Sequence, residues 1–519
     1  MASPSSSPPQ SPAPAADASA IPATALYLNV FVVAICGLVY ELLAGTLGSY
    51  LLGDSVTQFS LVIGLYLSAM GLGAHLSRKL EGELARRFVE IELAVAIVGG
   101  LSAPVLFLSF GTVVHFQIVL LAFVAAIGVL VGLELPLLMR LLEGQLAFKD
   151  LISRVLTFDY IGALAASLMF PLVLVPKLGL VRSSMVAGCA NALVALWGTH
   201  LLAPHLGKKL VGLRVRAVIV LLVMLGGVAS ADYFSTWAED EMYADPVVYT
   251  KQTPYQRIVV THGRAGFQLF LNGNLQFSSA DEYRYHEALV HPVMAAAELP
   301  PKQVLILGGG DGLALREVLT YPVEHVTLVD LDPAMTQLSK HFPALAQLNH
   351  HSFDDPRVTV VNDDAMVWLD EHPGQYDAIV VDFPDPNNFA LGKLFTKLFY
   401  RRVKQHLAPA GAVVVQATSP LFARRSFWCI SDTMAAAGLH VQPYHVTVPS
   451  FGVWGYVLAR SKAFEPPAHV PPGLRFLNDP ALASMFEMPA DMTHVPVEVN
   501  QLDNQALVRY YEREWRRWE

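Results

Sequence analysis

Gln303-Val-Leu-Ile-Leu-Gly-Gly-Gly-Asp-Gly312 decides the fold of the soluble half of this chain. Val304 to Leu307 is a short apolar run, the pattern of a strand buried in a parallel sheet. Gly308, Gly309 and Gly310 then permit a sharp turn and a close approach of backbone to ligand. Leu313 to Leu319 continues as an apolar helical pattern. Strand, glycine turn and helix make the first unit of a nucleotide-binding α/β sheet. Glycines alone are a weak signal, and the next element strengthens it. Val326-Thr-Leu-Val-Asp330 is a second apolar strand ending in a carboxylate, about 20 residues after the glycines, where a ribose-binding acid belongs.

Working outward, the α/β pattern repeats. Arg357-Val-Thr-Val-Val361 is a strand followed by Asn362-Asp363-Asp364-Ala365. Tyr376-Asp-Ala-Ile-Val-Val381 is another, ending in Asp382-Phe-Pro-Asp385, and Gly411 to Gln416 is a fifth. Acids therefore stand at or just beyond the carboxyl ends of the strands: Asp311, Asp330, Asp364, Asp382 and Asp385. In an open α/β sheet that edge binds ligands, and a cluster of carboxylates there suits a cation. Asp364 reads equally well as a helix cap. Five acids at one edge are more than capping explains.

Upstream, Val247-Val-Tyr249 and Gln256-Arg-Ile-Val-Val-Thr261 alternate like strands. Phe267 to Phe277 is an apolar run turning at Asn272-Gly273, a strong hairpin signal. A small β-domain is thus predicted, followed by a helix from Asp281 to about Ala297. The acidic stretch from Asp232 to Pro246 reads as a linker.

The remainder of the chain differs in composition. Of 519 residues, 53% are hydrophobic and only 15% charged, against about 25% charged in a soluble domain. The deficit lies before about residue 232. Residues 1–22 are rich in Ser, Pro and Ala without Lys or Arg, and read as a disordered tail. Seven apolar segments follow, long enough to span a bilayer: Ala25–Leu47, Phe59–Leu76, Ile91–Phe110, Phe116–Leu138, Leu156–Leu178, Met185–Leu202 and Leu213–Ala231. Gly71-Leu-Gly73 and Gly162-Ala-Leu-Ala-Ala166 suit close helix packing. Basic residues concentrate in the loops between spans two and three, four and five, and six and seven, which places those loops in the cytoplasm. Seven spans then put the soluble domain outside, against the cytoplasmic side expected of a nucleotide-binding domain, so its side is not assigned. Glu41, Glu134 and Asp159 are acids within spans, and the simplest reading is that they sit near span ends or pair with loop arginines. The net charge of −9 and the lack of a basic stripe exclude a nucleic-acid partner. Three cysteines without metal or disulfide spacing predict neither a zinc site nor a disulfide scaffold.

The ordered motifs Gly308-Gly-Gly-Asp-Gly312, Val329-Asp-Leu-Asp332, Asp364-Ala365, Asp382-Phe-Pro-Asp-Pro386 and Leu394-Phe-Thr-Lys-Leu-Phe-Tyr400 resemble the spermidine synthase family of polyamine aminopropyltransferases. Tyr255-Gln256 and Asp281–Glu287 fit it too, and the apolar half looks like the bacterial multi-pass version. The resemblance implies a donor substrate, decarboxylated S-adenosylmethionine, and putrescine or a related diamine as acceptor, with no metal and no separate cofactor. It implies that Gln256, Asp330, Asp364, Ala365 and the loop Gly308, Gly309 and Gly310 hold the methylthioadenosine part. His286, Asp311 and Asp385 would bind amine, and Asp382 would be the general base. The sequence departs from the family at Phe383-Pro384 between the two acids and at Asn387–Lys393, the segment after the second acid, where Phe389 stands. Asp363 also replaces the usual glycine before the adenine-side acid. Trp454 and Tyr456 read as pocket or core aromatics.

The predicted organisation is a tail at 1–22, a helical transmembrane domain at 23–232, linker and β-domain at 233–298, a Rossmann-like, methyltransferase-type domain at 299–465 and an extension at 466–519. Multi-pass residence in the cell (inner) membrane, contact with membrane lipid and a homo-oligomeric assembly are expected. Two other readings stay open. One is a polyamine N-methyltransferase using intact AdoMet. The other is a membrane polyamine transporter or sensor with a degenerate enzyme domain.

Overall fold

The computed structural model describes residues 23–52, 55–110, 116–142 and 148–515. The stretch 1–22, expected to be a disordered tail, lies outside them. Apart from residues 53–55, the chain divides into a unit running to Ala238 and a second from Glu239.

The first unit is all helical: α1 Ala23–Leu52, α2 Ser55–Ser77, α3 Leu84–Gly100, α4 Ser102–Phe110, α5 Phe116–Leu142, α6 Phe148–Met169, α7 Val175–Leu201, α8 Ala203–Leu206 and α9 Leu210–Met242. Among the described residues, six helical runs are long and apolar enough to cross a membrane. The seven predicted segments differ from this count because the fifth and sixth share one run, Lys149–Leu201. Within it Pro171 sits in a π-helical turn, Phe170–Leu174, where a missing N–H is accommodated. The backbone leaves helical geometry only at Gly179 (φ 73°, ψ 178°). Close packing explains some of the small residues. A Cβ on Gly73 would lie 2.1 Å from the Val129 carbonyl oxygen, and one on Gly162 2.6 Å from that of Phe31, whereas Gly71 faces open space. The predicted linker from Asp232 is corrected in part, since α9 continues through it to Met242. Its Ala- and Glu-containing sequence is compatible with a helix.

The second unit opens with an antiparallel sheet in the order β1-β2-β3-β4: Val247–Gln252, Arg257–Gly263, Gly266–Leu271 and Asn274–Ser278. The expected hairpin turn is present, with Asn272 and Gly273 at φ 51° and 81°, both positive as a type I′ turn requires. Helix α10 (Glu282–Ala296) leads into β5 (Gln303–Gly308), α11 (Leu313–Val318), β6 (His325–Asp330), α12 (Pro333–His341) and α13 (Pro343–Leu348). Then come β7 (Val358–Asn362), α14 (Ala365–Glu371), β8 (Tyr376–Asp382), α15 (Phe389–Gly392), α16 (Lys397–His406) and β9 (Leu407–Gln416). Helix α17 (Arg424–Ala436), β10 (His440–Val448), β11 (Gly452–Arg460), α18 (Asp479–Met485) and α19 (Ala506–Trp515) complete it.

The large sheet runs β10-β11-β9-β8-β5-β6-β7. Strands β5 to β9 are parallel, and β11 joins antiparallel to β9 and β10. Strand order reverses between β5 and β8, the point where an open sheet leaves a crevice for a ligand. The two faces bury separate cores. One gathers Leu305, Leu307, Ile379, Val381, Phe395 and Phe399. The other gathers Val304, Ile306, Val326, Val380, Tyr444 and Tyr456. Alternate residues of β5 thus enter opposite cores, which is why Val304 to Leu307 is apolar throughout.

The stretch after residue 465 packs onto this unit. Glu287 on α10 accepts the backbone N–H groups of Arg475, Phe476 and Leu477, each at 2.8 Å.

Candidate active site

The glycine loop and β8 are joined through backbone. Gly308 pairs in register with Asp382, and Gly309 N–H donates to the Asp382 carbonyl at 3.1 Å. Gly308 has φ 84°, and a Cβ there would lie 2.2 Å from that same carbonyl oxygen. A Cβ on Gly310 would lie 2.5 Å from Asp330 Oδ2, the atom that accepts the Gly310 N–H at 3.1 Å. Only glycine fits at either place.

Asp330 is thereby fixed at the end of β6, its Oδ1 accepting from Asp332 N–H at 2.9 Å. Burial, with a smaller push from the Asp332 and Asp311 charges, raises it to about 6. Asp332 was quoted in the sequence only as part of a motif. It caps α12 through Ala334 N–H at 3.0 Å. Its other oxygen accepts from Thr253 Oγ1 at 2.8 Å and Gln256 Nε2 at 3.0 Å. Gln256 is brought to the sheet edge by this bracket between the β1–β2 turn and β6.

Asp364 is the helix cap that the sequence allowed. Its Oδ1 caps α14, accepting Met366 N–H at 2.9 Å, beside the buried Ala365. Its Oδ2 is paired with Lys393 Nζ at 2.5 Å. Partial burial would raise Asp364, but the Lys393 ammonium more than offsets this and holds it below the usual range. Lys393 belongs to the segment that departs from the family pattern.

Three acids lie at the crevice, with Asp311 and Asp382 close enough to repel one another. Asp382 Oδ1 accepts from Tyr285 Oη at 2.7 Å, and its Oδ2 has no hydrogen-bond donor among the described residues. Burial and then the Asp311 charge push Asp382 up to about 6. Asp311 is also raised by burial, against the opposing pull of His286, and its Oδ1 accepts Leu313 N–H at 2.9 Å. Asp385 is more fully held. Its Oδ1 accepts from Gln416 Nε2 at 3.1 Å. Its Oδ2 accepts from Thr418 Oγ1 at 3.1 Å and Tyr511 Oη at 2.9 Å. The Gln416 amide is oriented by its other end, whose oxygen accepts from Trp454 Nε1 and Thr418 N–H. Burial still raises Asp385 to about 6 despite these donors. Aromatic residues close around Tyr285, with Phe451 and Tyr456 at ring-centroid distances of 6.1 and 5.5 Å. Phe389 is 40% exposed on the neighbouring segment.

His286 lies beside Asp311 and Asp382. It is 2% exposed, with Nδ1 2.9 Å from Glu282 Oε2. Glu282 is in turn clamped by both terminal nitrogens of Arg316 at 2.9 and 3.0 Å. Burial opposes its charge, but Glu282 and then Asp311 and Asp382 raise His286. Glu282 is itself brought to about 2: burial would raise it, and His286 and Arg316 together prevail. The histidine is thus tied through Nδ1 to Glu282, which favours its charged form beside the acids.

Sequence reading missed Tyr285, Gln416, Thr418 and Tyr511. Tyr285 lay inside a quoted motif, so its type and place were available. Tyr511 had no local signal, being 126 positions from the acid it serves.

A glycine-rich turn, a ribose-side acid and clustered carboxylates at the switch point of a parallel sheet define a nucleoside-binding group transferase with a pocket for a cation. The family described as spermine/spermidine synthase domain matches residues 282–466. The chain is 52% identical over 495 residues to the polyamine aminopropyltransferase of Leptospira interrogans, covering 95% of this chain and 99% of that one. It is 52% identical over 499 residues to polyamine aminopropyltransferase 2 of Ralstonia nicotianae, covering 94% and 98%. The crystal structure of spermidine synthase from Thermotoga maritima is 27% identical with a TM-score of 0.43, covering 47% of this chain and 84% of that one. The chain belongs to the spermine/spermidine synthase family, the polyamine aminopropyltransferases.

Proposed function

We propose that the second unit transfers an aminopropyl group from decarboxylated S-adenosylmethionine to a diamine, with putrescine as the acceptor. Aminopropyl transfer in polyamine biosynthesis is the activity of the family. The observation that supports the acceptor class is the set Asp311, Asp382 and Asp385, raised by burial in a crevice where two alkylammonium groups would restore their charge balance.

In this reading Asp330 binds the ribose hydroxyls, Gln256 the methylthioadenosine part, and Asp364 with Ala365 the adenine. Asp311 faces the donor ammonium, a group that a donor without a carboxylate brings in without repulsion. The acceptor amine gives a proton to Asp382 Oδ2. Its nitrogen lone pair then forms the C–N bond at the propyl carbon as the C–S bond breaks, and its electron pair leaves with neutral methylthioadenosine. The sulfonium is already an activated leaving group, so the reaction needs no metal or cofactor. Positioning the nucleophile in line supplies much of the acceleration.

An alkylammonium resembles lysine, at about 10.4. Raising Asp382 from 3.8 to about 6 narrows the gap between acid and base. That makes proton removal easier by about 3 kcal/mol. Tyr285 occupies Oδ1 and directs the open Oδ2 toward the amine. Asp385, with both oxygens engaged, orients the acceptor instead of taking its proton.

We further propose that the helical unit resides in a bilayer, on the support of its apolar runs. Retention in the pellet after alkaline carbonate extraction tests that placement, and release into the supernatant overturns it.

Mass spectrometry of products from the full chain tests the reaction, with decarboxylated or intact donor against a panel of diamines. The expected product is an acceptor heavier by one aminopropyl group, formed only with the decarboxylated donor. A methylated amine from intact donor, with no aminopropyl product, would overturn the reading.

A further inference from the structure

The helical unit contains a polar cluster that the transfer reaction does not use. Glu92 on α3 and Glu134 on α5 are 0% and 1% exposed, in helices that pack against each other. Glu92 Oε2 accepts from Asn191 Nδ2 on α7 at 3.0 Å, and Asn191 Oδ1 accepts from Tyr40 Oη on α1 at 3.0 Å. This chain of bonds fixes the asparagine amide and engages one glutamate oxygen. Glu92 Oε1 and both oxygens of Glu134 remain buried with no hydrogen-bond partner. The two glutamates interact electrostatically with each other, and both act on Cys36 and Tyr40, so the orphan oxygens belong to one locality.

Neighbouring basic groups do not answer them. Arg86 and Lys209 pair with Glu83, and Arg86 also pairs with Glu90. Arg140 donates to the Ser77 carbonyl, and Arg214 to Thr199. Of the two sequence expectations, pairing with a loop arginine therefore fails for Glu134. The side chain is enclosed and no described basic residue bonds to it.

A buried polar group without a partner costs free energy, and a buried charge without one costs more. Three orphan acceptors in one place match the three N–H donors of a primary ammonium. No described group of three His, Cys, Asp or Glu side chains here has the arrangement of a metal site, so an organic cation fits the donor set better than a metal ion. The buried ring of Tyr40 adds an electron-rich neighbour for such a cation.

We propose that Glu92 and Glu134 form a second amine site, binding the primary ammonium of an aliphatic di- or triamine inside the helical unit. The choice of amine rests on the aminopropyl-transfer reading, whereas the need for a cationic partner rests on the two glutamates alone. Substrate and product share the recognised group, so both serve as probes.

Equilibrium dialysis of the purified full chain with radiolabelled putrescine and, separately, spermidine tests it. The expected stoichiometry is two amines per chain for at least one probe. It falls to one in Glu134→Gln and in Glu92→Gln, with kcat for transfer unchanged. One amine per chain for both probes in the wild type, or two in both variants, overturns the proposal. A second measurement needs no variant. Dicyclohexylcarbodiimide labels buried carboxyls, and its modification of Glu134, followed by mass spectrometry, should slow about tenfold at an amine concentration ten times Kd. Unchanged labelling at saturating amine means that the glutamates hold protons only, and overturns the site. Absence of an aminopropyl product alongside two-site binding would instead sink the transfer reading and leave this site standing.

Discussion

Replacing Asp382 by Asn should disable the enzyme and stabilise its fold, and the two effects come from one cause. Burial and the neighbouring Asp311 raise the folded carboxyl from 3.8 to about 6. A raised acid is less easily ionised in the folded chain than in the unfolded one. Its penalty is therefore absent below about pH 4, where both states are protonated. It grows between about 4 and 6 and is complete above. Two units correspond to about 3 kcal/mol. Asn keeps an oxygen for Tyr285 Oη, so little should be lost in exchange. At about 2 to 4 °C per kcal/mol for a domain of this order, the melting temperature of the second unit should rise by roughly 6 to 12 °C at pH 8. Little change is expected at pH 4. Calorimetry of the full chain at both pH values measures this, with transfer kinetics on the same preparation. The rate should fall by about 10² to 10⁴ at saturating amine and recover partly as rising pH deprotonates the amine in solution. Donor affinity should survive. A variant that melts at or below the wild-type temperature at pH 8 would refute the electrostatic account. A near-normal kcat at neutral pH would refute the base assignment.

Other expectations follow from the same geometry. Wild-type activity should fall as pH drops through about 6, because Asp382 takes up the proton it must accept from the amine; a flat profile from pH 5 to 8 would contradict this. Tyr511→Phe removes the 2.9 Å donor to Asp385, and a hydrogen bond to a charged group is worth about 1.5 to 3 kcal/mol. The amine KM should rise by about tenfold or more with the donor KM unmoved, and equal losses for both substrates would indicate a structural role. Gly310→Ala drives a Cβ to 2.5 Å from Asp330 Oδ2. Overpacking of about 1 to 3 kcal/mol should appear in calorimetry as a roughly ten- to hundredfold weaker donor. Asp311→Asn should weaken decarboxylated donor more than intact AdoMet, since it also removes repulsion toward a carboxylate that only intact AdoMet carries. Equal losses in calorimetry would remove Asp311 from donor selection.

The glycine loop, the strands and the acids were legible because each answers a local demand. A strand between two cores must be apolar throughout, a loop against the Asp382 carbonyl must lack a side chain, and a ligand edge shows its carboxylates. Roles that depend on tertiary neighbours were not legible. Nothing local shows that His286 is tied through Nδ1 to Glu282, itself clamped by Arg316. Asp332 looked like a motif letter and is a bracket between two sheets. Composition suggested a linker at Asp232 where a polar helix continues, whereas hydropathy divided Lys149–Leu201 between Leu178 and Met185, where the backbone does break at Gly179.

Tyr511 makes the order of synthesis matter. The glycine loop and the three crevice acids are translated before the hydroxyl that steadies Asp385, which follows that acid by 126 residues. At about 5 to 20 residues per second, that separation lasts roughly 6 to 25 seconds. During that interval Asp385 lacks one of its three side-chain donors, and its hydrogen bonding is complete only once α19 has been made.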